Sequence, residues 1–124
     1  MNQNTVKAVV TEEMTARSMK SGSLEVLATP ALIALLEEAA CGCLSDTVEE
    51  GMTSVGTEIN VKHIAPTPVG MTVTATAELL LMDGKRALFR VHAEDALGPV
   101  AAGTHSRVLV KADEFQKKAD GKRA

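Results

Sequence analysis

The segment from residue 30 to residue 44 dominates this 124-residue chain, because it consists almost entirely of strong helix formers. Thr29 is a suitable N-cap for such a helix, and Pro30 suits its first turn because proline has no amide hydrogen to leave unpaired there. Apart from Glu37 and Glu38, the segment is apolar on every side. A helix of this kind has to be surrounded by the rest of the fold, so we predict a central helix.

The rest of the chain alternates apolar and polar residues with the two-residue period of strands. In the run after the helix, this alternation puts Val55 and His63 on the inward face and Gly56 on the other. Asp83-Gly84 predicts a tight hairpin turn. One strand, one buried helix and then an antiparallel meander predict an α+β fold, the hotdog fold, in which a curved antiparallel sheet wraps a central helix. The predicted strands are residues 6–10, 55–63, 72–81, 87–93 and 100–110, and residues 11–22 are predicted to form an irregular segment or lid.

Length and charge limit the functions that this chain can have. We expect a single domain over residues 1–124, with a charged and solvated C-terminal tail from Lys111 onward. The net charge of −3 gives no general attraction to nucleic acid. No apolar run approaches the roughly 20 residues that cross a bilayer, and the polar start of the chain lacks a signal-peptide core. We therefore expect a cytoplasmic protein with neither a nucleic acid nor a membrane as partner.

The two cysteines are expected to have packing roles. Cys41 and Cys43 lie two positions apart in the predicted helix and so point to different sides, which suits neither a mutual disulfide nor a closed metal site. Free cysteine commonly packs like a small apolar residue. With three histidines and no cluster of cysteine and histidine ligands, we expect no metal centre.

Glu37 is a candidate for acid–base or covalent chemistry. Its neighbours three and four positions away are all apolar, so its carboxylate faces surroundings in which desolvation makes it more basic. It can act as a general base on water, or attack a carbonyl itself and form a transient anhydride. The structural alternative is a glutamate that reaches solvent or pairs with a lysine. Glu38 has an equally apolar neighbourhood.

His63 and Thr29 are further candidates for the site. His63 ends the inward face of a predicted strand, where an imidazole can move a proton or orient a carboxylate at neutral pH. A hydrogen-bonded structural histidine is the alternative. Thr29 is explained as a helix cap, and its second possible role is a hydroxyl hydrogen bond to the carboxylate or to a substrate.

Several segments together resemble the hotdog thioesterases related to fluoroacetyl-CoA thioesterase. In that family a threonine, a glutamate eight residues later and a histidine twenty-six residues after the glutamate form the catalytic set, and these positions fall on Thr29, Glu37 and His63. A glycine whose amide helps to bind the substrate carbonyl corresponds to Gly56. The resemblance runs from about Gly22 to Phe115 and is carried by residues 27–30, 35–37, 54–57, 63–70, 83–85 and 103–107.

The resemblance implies an acyl-CoA thioesterase that hydrolyses a short acyl-CoA and needs no cofactor, since coenzyme A is part of the substrate. Arg107 shares a strand face with His105 and either binds a phosphate of coenzyme A or pairs with an acidic residue. The fluoroacetyl-specific member closes its pocket with a phenylalanine-rich lid, whereas residues 15–23 contain no aromatic residue. This difference argues against fluoroacetyl specificity and leaves the acyl group open.

The spacing of the catalytic set has a consequence for assembly. Eight helical residues separate Thr29 from Glu37 by about 12 Å along the axis, too far for direct contact within one straight helix. If both act on one substrate, a second subunit supplies one of them, so we expect a homodimer with active sites at the subunit interface. Two alternative functions remain open, a hotdog acyl-CoA hydratase or dehydratase and a non-catalytic acyl-CoA binding module.

Overall fold

The computed structural model describes residues 2–123 of the chain and contains one antiparallel sheet and two α-helices. The strands are hydrogen-bonded in the order β1-β3-β4-β5-β2, and every neighbouring pair is antiparallel. The α+β hotdog fold predicted from the sequence is confirmed. In chain order the elements are β1 (Gln3–Val9), α1 (Thr29–Leu44), β2 (Met52–His63), β3 (Thr72–Asp83), β4 (Arg86–Asp95), β5 (Gly98–Lys111) and α2 (Ala112–Asp120).

The core lies between α1 and the inner face of the sheet. Leu32 and Leu36 of the helix have no exposed surface, and neither has Phe89 of β4. Each such side chain contributes roughly 1.5–3 kcal/mol through its burial. Opposite the helix, β3 presents Ala75 and Ala77, whose small side chains allow α1 to approach the sheet closely.

The side of α1 that faces away from the core is open in the single chain. Ala34, Glu38 and Cys41 are exposed and follow one another at helical spacing, so they form one stripe along the helix. The expectation that the rest of the fold surrounds the helix on every side is therefore wrong for one chain. A single sheet of five strands covers only one side of a helix, and the apolar residues on the other side have no partner within the chain.

A β-bulge in β2 changes which residues face the helix. The pairing with β5 shifts register between Gly56 and Glu58, which inserts one extra residue. Gly56 pairs with Arg107, which is buried on the inner face, so Gly56 also faces inward. The predicted alternation, with Val55 inward and Gly56 outward, is wrong before the bulge. It is correct after the bulge, where His63 pairs with the buried Ala101.

The segment before the helix and the end of the chain are more regular than the sequence predicts. Thr15 is buried and bridges to Leu27, so the predicted irregular segment or lid is a folded loop that begins with a 3₁₀ turn at Glu12–Met14. Residues 112–120 of the charged tail form α2, which is almost wholly exposed to solvent. Among the described residues, no helix is long and apolar enough to span a membrane.

The two cysteines lie on different sides of α1, as predicted. Cys41 is exposed, whereas Cys43 is buried and its Sγ lies 3.3 Å from the carbonyl oxygen of Ala77. Both thiols are free. Burial raises the pKa of the Cys43 thiol, so this side chain packs as a neutral group.

Candidate active site

Thr29 and His63 meet where α1 begins and β2 ends. Thr29 is the first residue of the helix and Ala28 is its N-cap, so the predicted capping role of the Thr29 hydroxyl is wrong. The hydroxyl instead makes a hydrogen bond of 2.8 Å to Nδ1 of His63. Pro30 follows directly and is tolerated in the first turn because it needs no amide hydrogen bond there.

The other ring nitrogen of His63 is buried without a partner. Nε2 makes no hydrogen bond to any of the described residues. A buried polar atom without a partner costs about 1–3 kcal/mol, so we expect a water molecule, a substrate or a second subunit to supply the partner of Nε2. Burial lowers the pKa of His63, and the backbone of Ala65 acts in the opposite direction. The imidazole is therefore held toward its neutral form, which is able to accept a proton.

Glu37 lies at the edge of the open side of α1 and pairs with Arg107 of β5. The distance from Glu37 Oε2 to Arg107 Nη1 is 3.7 Å. The arginine side chain is only 7% exposed, whereas the glutamate side chain is 42% exposed. The buried guanidinium thus holds a carboxylate that still reaches open space. Of the two roles considered for Arg107, pairing with an acidic residue is the one that the structure contains.

Arg107 is itself fixed by hydrogen bonds on every side of its guanidinium. Nε donates to the Ser54 hydroxyl at 2.9 Å, and Nη2 donates to the Ser54 carbonyl at 3.0 Å. Nη1 lies 3.1 Å from Nε2 of His105. Sequence reasoning assigned no role to Ser54 or His105. The signal for His105 was its position two residues before Arg107 on the same strand face.

Gly56 lies directly against the Glu37 carboxylate. A Cβ atom at this position would lie 2.7 Å from Glu37 Oε2 and 3.3 Å from Arg107 Nη1. Real Cβ atoms are essentially never found so close to another heavy atom, so only glycine leaves room for the carboxylate here. The backbone of β2 and the carboxylate therefore border the same small space.

The predicted site residues thus form two groups. One group contains Thr29 and His63, and the other contains Glu37, Gly56 and Arg107. Within residues 2–123 no hydrogen bond or ion pair joins the two groups. A cavity of about 290 Å³ opens at the first group. A larger cavity of about 490 Å³ lies between α2 and β5 and contains none of the predicted residues.

A helix packed on one face of a curved five-stranded antiparallel sheet, with a hydroxyl, an imidazole and an arginine-held carboxylate beside it, defines a hotdog-fold protein of the thioesterase type. The family model described as fluoroacetyl-CoA-specific thioesterase matches residues 10–113. The chain belongs to this thioesterase family.

Individual relatives agree with this assignment. The chain is 40% identical over 94 residues to the fluoroacetyl-CoA thioesterase of Streptantibioticus cattleyicolor. These aligned residues make up 76% of this chain and 68% of that protein. The solved structure of the fluoroacetyl-CoA thioesterase FlK superimposes with a TM-score of 0.94 at 34% identity, covering 98% of this chain and 95% of that one. A thioesterase superfamily member from Thermus thermophilus matches with a TM-score of 0.87 at 27% identity, over 95% of this chain and 88% of that one.

Proposed function

We propose that this protein hydrolyses a short acyl-CoA thioester to the free acid and coenzyme A. The observation that supports this most strongly is the Glu37 carboxylate, which Arg107 holds against Gly56 while leaving it accessible. Solved structures of the relative FlK contain acetyl-CoA in one case and fluoroacetate with coenzyme A in another. Acyl-CoA is therefore the substrate class that we assign to this chain.

The proposed reaction needs a base and a site for negative charge. In the general-base route, Glu37 takes a proton from water while the water oxygen bonds to the thioester carbonyl carbon. The carbonyl oxygen becomes an oxyanion, and a backbone amide such as that of Gly56 stabilises it by about 3 kcal/mol. The carbon–sulfur bond then breaks, and the leaving thiolate takes up a proton. In the alternative route Glu37 attacks the carbonyl carbon, the carbon–sulfur bond breaks and the coenzyme A thiolate leaves with a proton. Water then hydrolyses the resulting anhydride to the free acid and restores Glu37.

We propose that each active site combines residues of two subunits. β2 is an edge strand, and its residues 56–60 are exposed, so its outer edge is free to pair with another strand. Two copies of β2 that pair antiparallel about Asn60 place Ile59 of one copy opposite Val61 of the other, and the extra residue of the bulge then brings Gly56 of one copy opposite His63 of the other. Because of the bulge, both residues face inward, which this pairing requires.

This pairing also provides a partner for Nε2 of His63, the buried nitrogen that has none within one chain. It brings the Glu37 carboxylate of one subunit toward His63 Nε2 of the other, and Thr29 orients the ring through Nδ1. Cys41 of the exposed stripe of α1 lines a cavity together with Met52 and Ser54 of β2, so we place this stripe in the contact between the two subunits as well. We accordingly propose a homodimer with two equivalent sites, in which His63 and Thr29 assist Glu37.

The folded loop before α1 is proposed to set the size of the acyl group. Ala16 and Ser21 of this loop line the cavity at Thr29 and His63, and the loop has no aromatic side chain. A pocket bordered by such small residues does not select for one particular small acyl group. We therefore propose a preference for short acyl chains without fluoroacetyl specificity. The free thiols of Cys41 and Cys43 are consistent with a reducing, cytoplasmic location, which we also propose.

Release of free thiol from a panel of acetyl-, propionyl-, aromatic and halogenated acyl-CoA substrates tests this function. Replacement of Glu37 by glutamine keeps the size of the side chain and removes the base, so we expect kcat to fall by roughly 100-fold or more. Glu94→Gln is the matched control, because Glu94 is an exposed carboxylate on β4 that belongs to neither group of site residues, and its kcat should stay unchanged. Normal turnover by a folded Glu37→Gln variant, or no thiol release from any substrate, would reject the proposal.

A further inference from the structure

His105 is a buried ionisable residue that the proposed reaction does not use. It lies on β5, is 1% exposed, and stacks on Phe89 with 6.1 Å between the ring centroids. Both of its ring nitrogens have partners. Nδ1 lies 2.8 Å from the carbonyl oxygen of Glu58, and Nε2 lies 3.1 Å from Nη1 of Arg107.

These two partners determine the protonation of the ring. The Glu58 carbonyl only accepts hydrogen bonds, so Nδ1 of His105 must carry the hydrogen. The Arg107 guanidinium only donates, so Nε2 must be the unprotonated acceptor. His105 is therefore neutral with a defined tautomer. A protonated ring would turn a donor toward the donor of Arg107 and would add a second positive charge beside it.

Two hydrogen bonds and one ion pair form a continuous chain from the bulge of β2 to the carboxylate. The Glu58 carbonyl fixes the ring of His105, the ring accepts from Nη1 of Arg107, and the same Nη1 lies 3.7 Å from Glu37 Oε2. Ser54 holds the other nitrogens of the guanidinium. The atom that faces Glu37 is thus the one that depends on His105 for its hydrogen bond within the protein.

We propose that His105 is a positioning residue, which acts through Arg107 to hold the Glu37 carboxylate against Gly56. This inference rests on the proposed function, because it assigns Glu37 as the group that must be placed. A carboxylate that is misplaced by about 1 Å loses up to 100-fold in rate. His105 therefore contributes to kcat although it never contacts the substrate.

Two substitutions separate this role from a purely structural one. In His105→Gln, the side-chain oxygen takes the position of Nε2 and still accepts from Arg107, while the bond to Glu58 is lost. In His105→Asn, the side-chain amide takes the position of Nδ1 and still donates to Glu58, while Arg107 loses its acceptor. His92→Asn is the control, because His92 is exposed on the neighbouring strand.

We expect His105→Asn to lower kcat by about tenfold or more with little change in KM, and His105→Gln to retain most of the wild-type kcat. Thermal unfolding establishes that each variant is folded at the assay temperature. Equal losses in the two variants would indicate a structural role only and would overturn the proposal, as would a wild-type kcat in His105→Asn.

The tautomer is tested without any assay of activity. Nitrogen-15 NMR of the wild-type imidazole should show a neutral ring with the hydrogen on Nδ1. A hydrogen on Nε2 would overturn the proposed contact with Arg107. If the wild-type protein released no thiol from any substrate while the ring had the expected tautomer, the proposed function would fail and the hydrogen-bond arrangement would stand.

Discussion

At the scale of single residues, the site is defined by how closely backbone and side chains approach one another. Gly56 leaves the space that the Glu37 carboxylate occupies, and Arg107 holds the carboxylate there. Each of these residues is unremarkable alone in the sequence. Their joint effect depends on the pairing of β2 with β5, which brings positions that are far apart in the chain to within a few ångströms of one another.

Replacement of Gly56 by alanine should lower activity strongly and leave the fold intact. The new Cβ would lie 2.7 Å from Glu37 Oε2, so the carboxylate must move away. Because that atom is the end of a flexible side chain, the movement has little effect on stability. We expect kcat to fall by roughly 10- to 100-fold. Steady-state kinetics and thermal unfolding of the purified variant measure the two effects, and an unchanged kcat would contradict the assigned position of the carboxylate.

The buried His105 predicts how stability depends on pH. Burial lowers the pKa of His105 from the ordinary value of 6.5, so below that value this residue binds more protons in the unfolded chain than in the folded one. Its full contribution to the free energy of unfolding is present above pH 6.5 and is lost progressively as the pH falls below it. Urea unfolding between pH 7.5 and 5.5 should show this decline, and His105→Gln should show a weaker one. A gain in stability on acidification would be inconsistent with a buried neutral ring.

At the scale of secondary structure, the periodicity of the sequence predicts most elements because each of them is amphipathic or uniformly apolar over its whole length. The predicted helix at residues 30–44 differs from α1 by one residue at its start. The helix α2, which was not predicted, is nevertheless indicated by its charges. Asp113 lies in its first turn and Lys118 in its last, where each charge interacts favourably with the helix dipole. A search for apolar periodicity overlooks such a short polar helix.

The bulge in β2 could not be predicted from periodicity, and neither could the partners of Arg107. A bulge depends on the pairing between two strands, and the β2 sequence alone reads as a plain alternation. Thr29, Glu37 and His63 were identified through a family spacing. His105 and Ser54 were missed because their roles depend on which residues of β5 lie opposite which residues of β2.

Gly103 shows how closely β5 approaches β2 near the site. A Cβ at this position would collide with the carbonyl oxygen of Asn60 and lie 2.7 Å from Cα of Val61. These are backbone atoms and cannot move unless the strands separate, so Gly103→Ala should lower the free energy of unfolding by about 3 kcal/mol. Thr104→Ala is the control at the exposed neighbouring position and should change it by less than about 0.5 kcal/mol. Equal stability of the two variants in urea unfolding would argue against this close approach.

At the scale of the whole molecule, one chain has an incomplete site. The edge of β2, the open side of α1 and the unpaired Nε2 of His63 occur in the same part of the structure. Each of these features is unfavourable in an isolated subunit, because it leaves a strand edge, an apolar surface or a buried polar atom without a partner. One antiparallel pairing of two subunits removes all three, which is why we favour it over an active monomer.

Mixing two inactive variants tests the shared site directly. If Glu37 of one subunit acts with His63 of the other, a dimer of one Glu37→Gln subunit and one His63→Ala subunit contains one intact site and one site with both defects. After joint unfolding and refolding of equal amounts, half of the dimers are mixed, so activity should recover to about a quarter of the wild-type value. Refolding of each variant alone is the control and should give no recovery. If both residues of a site came from the same chain, the mixture would stay as inactive as its components, and the composite site would have to be abandoned.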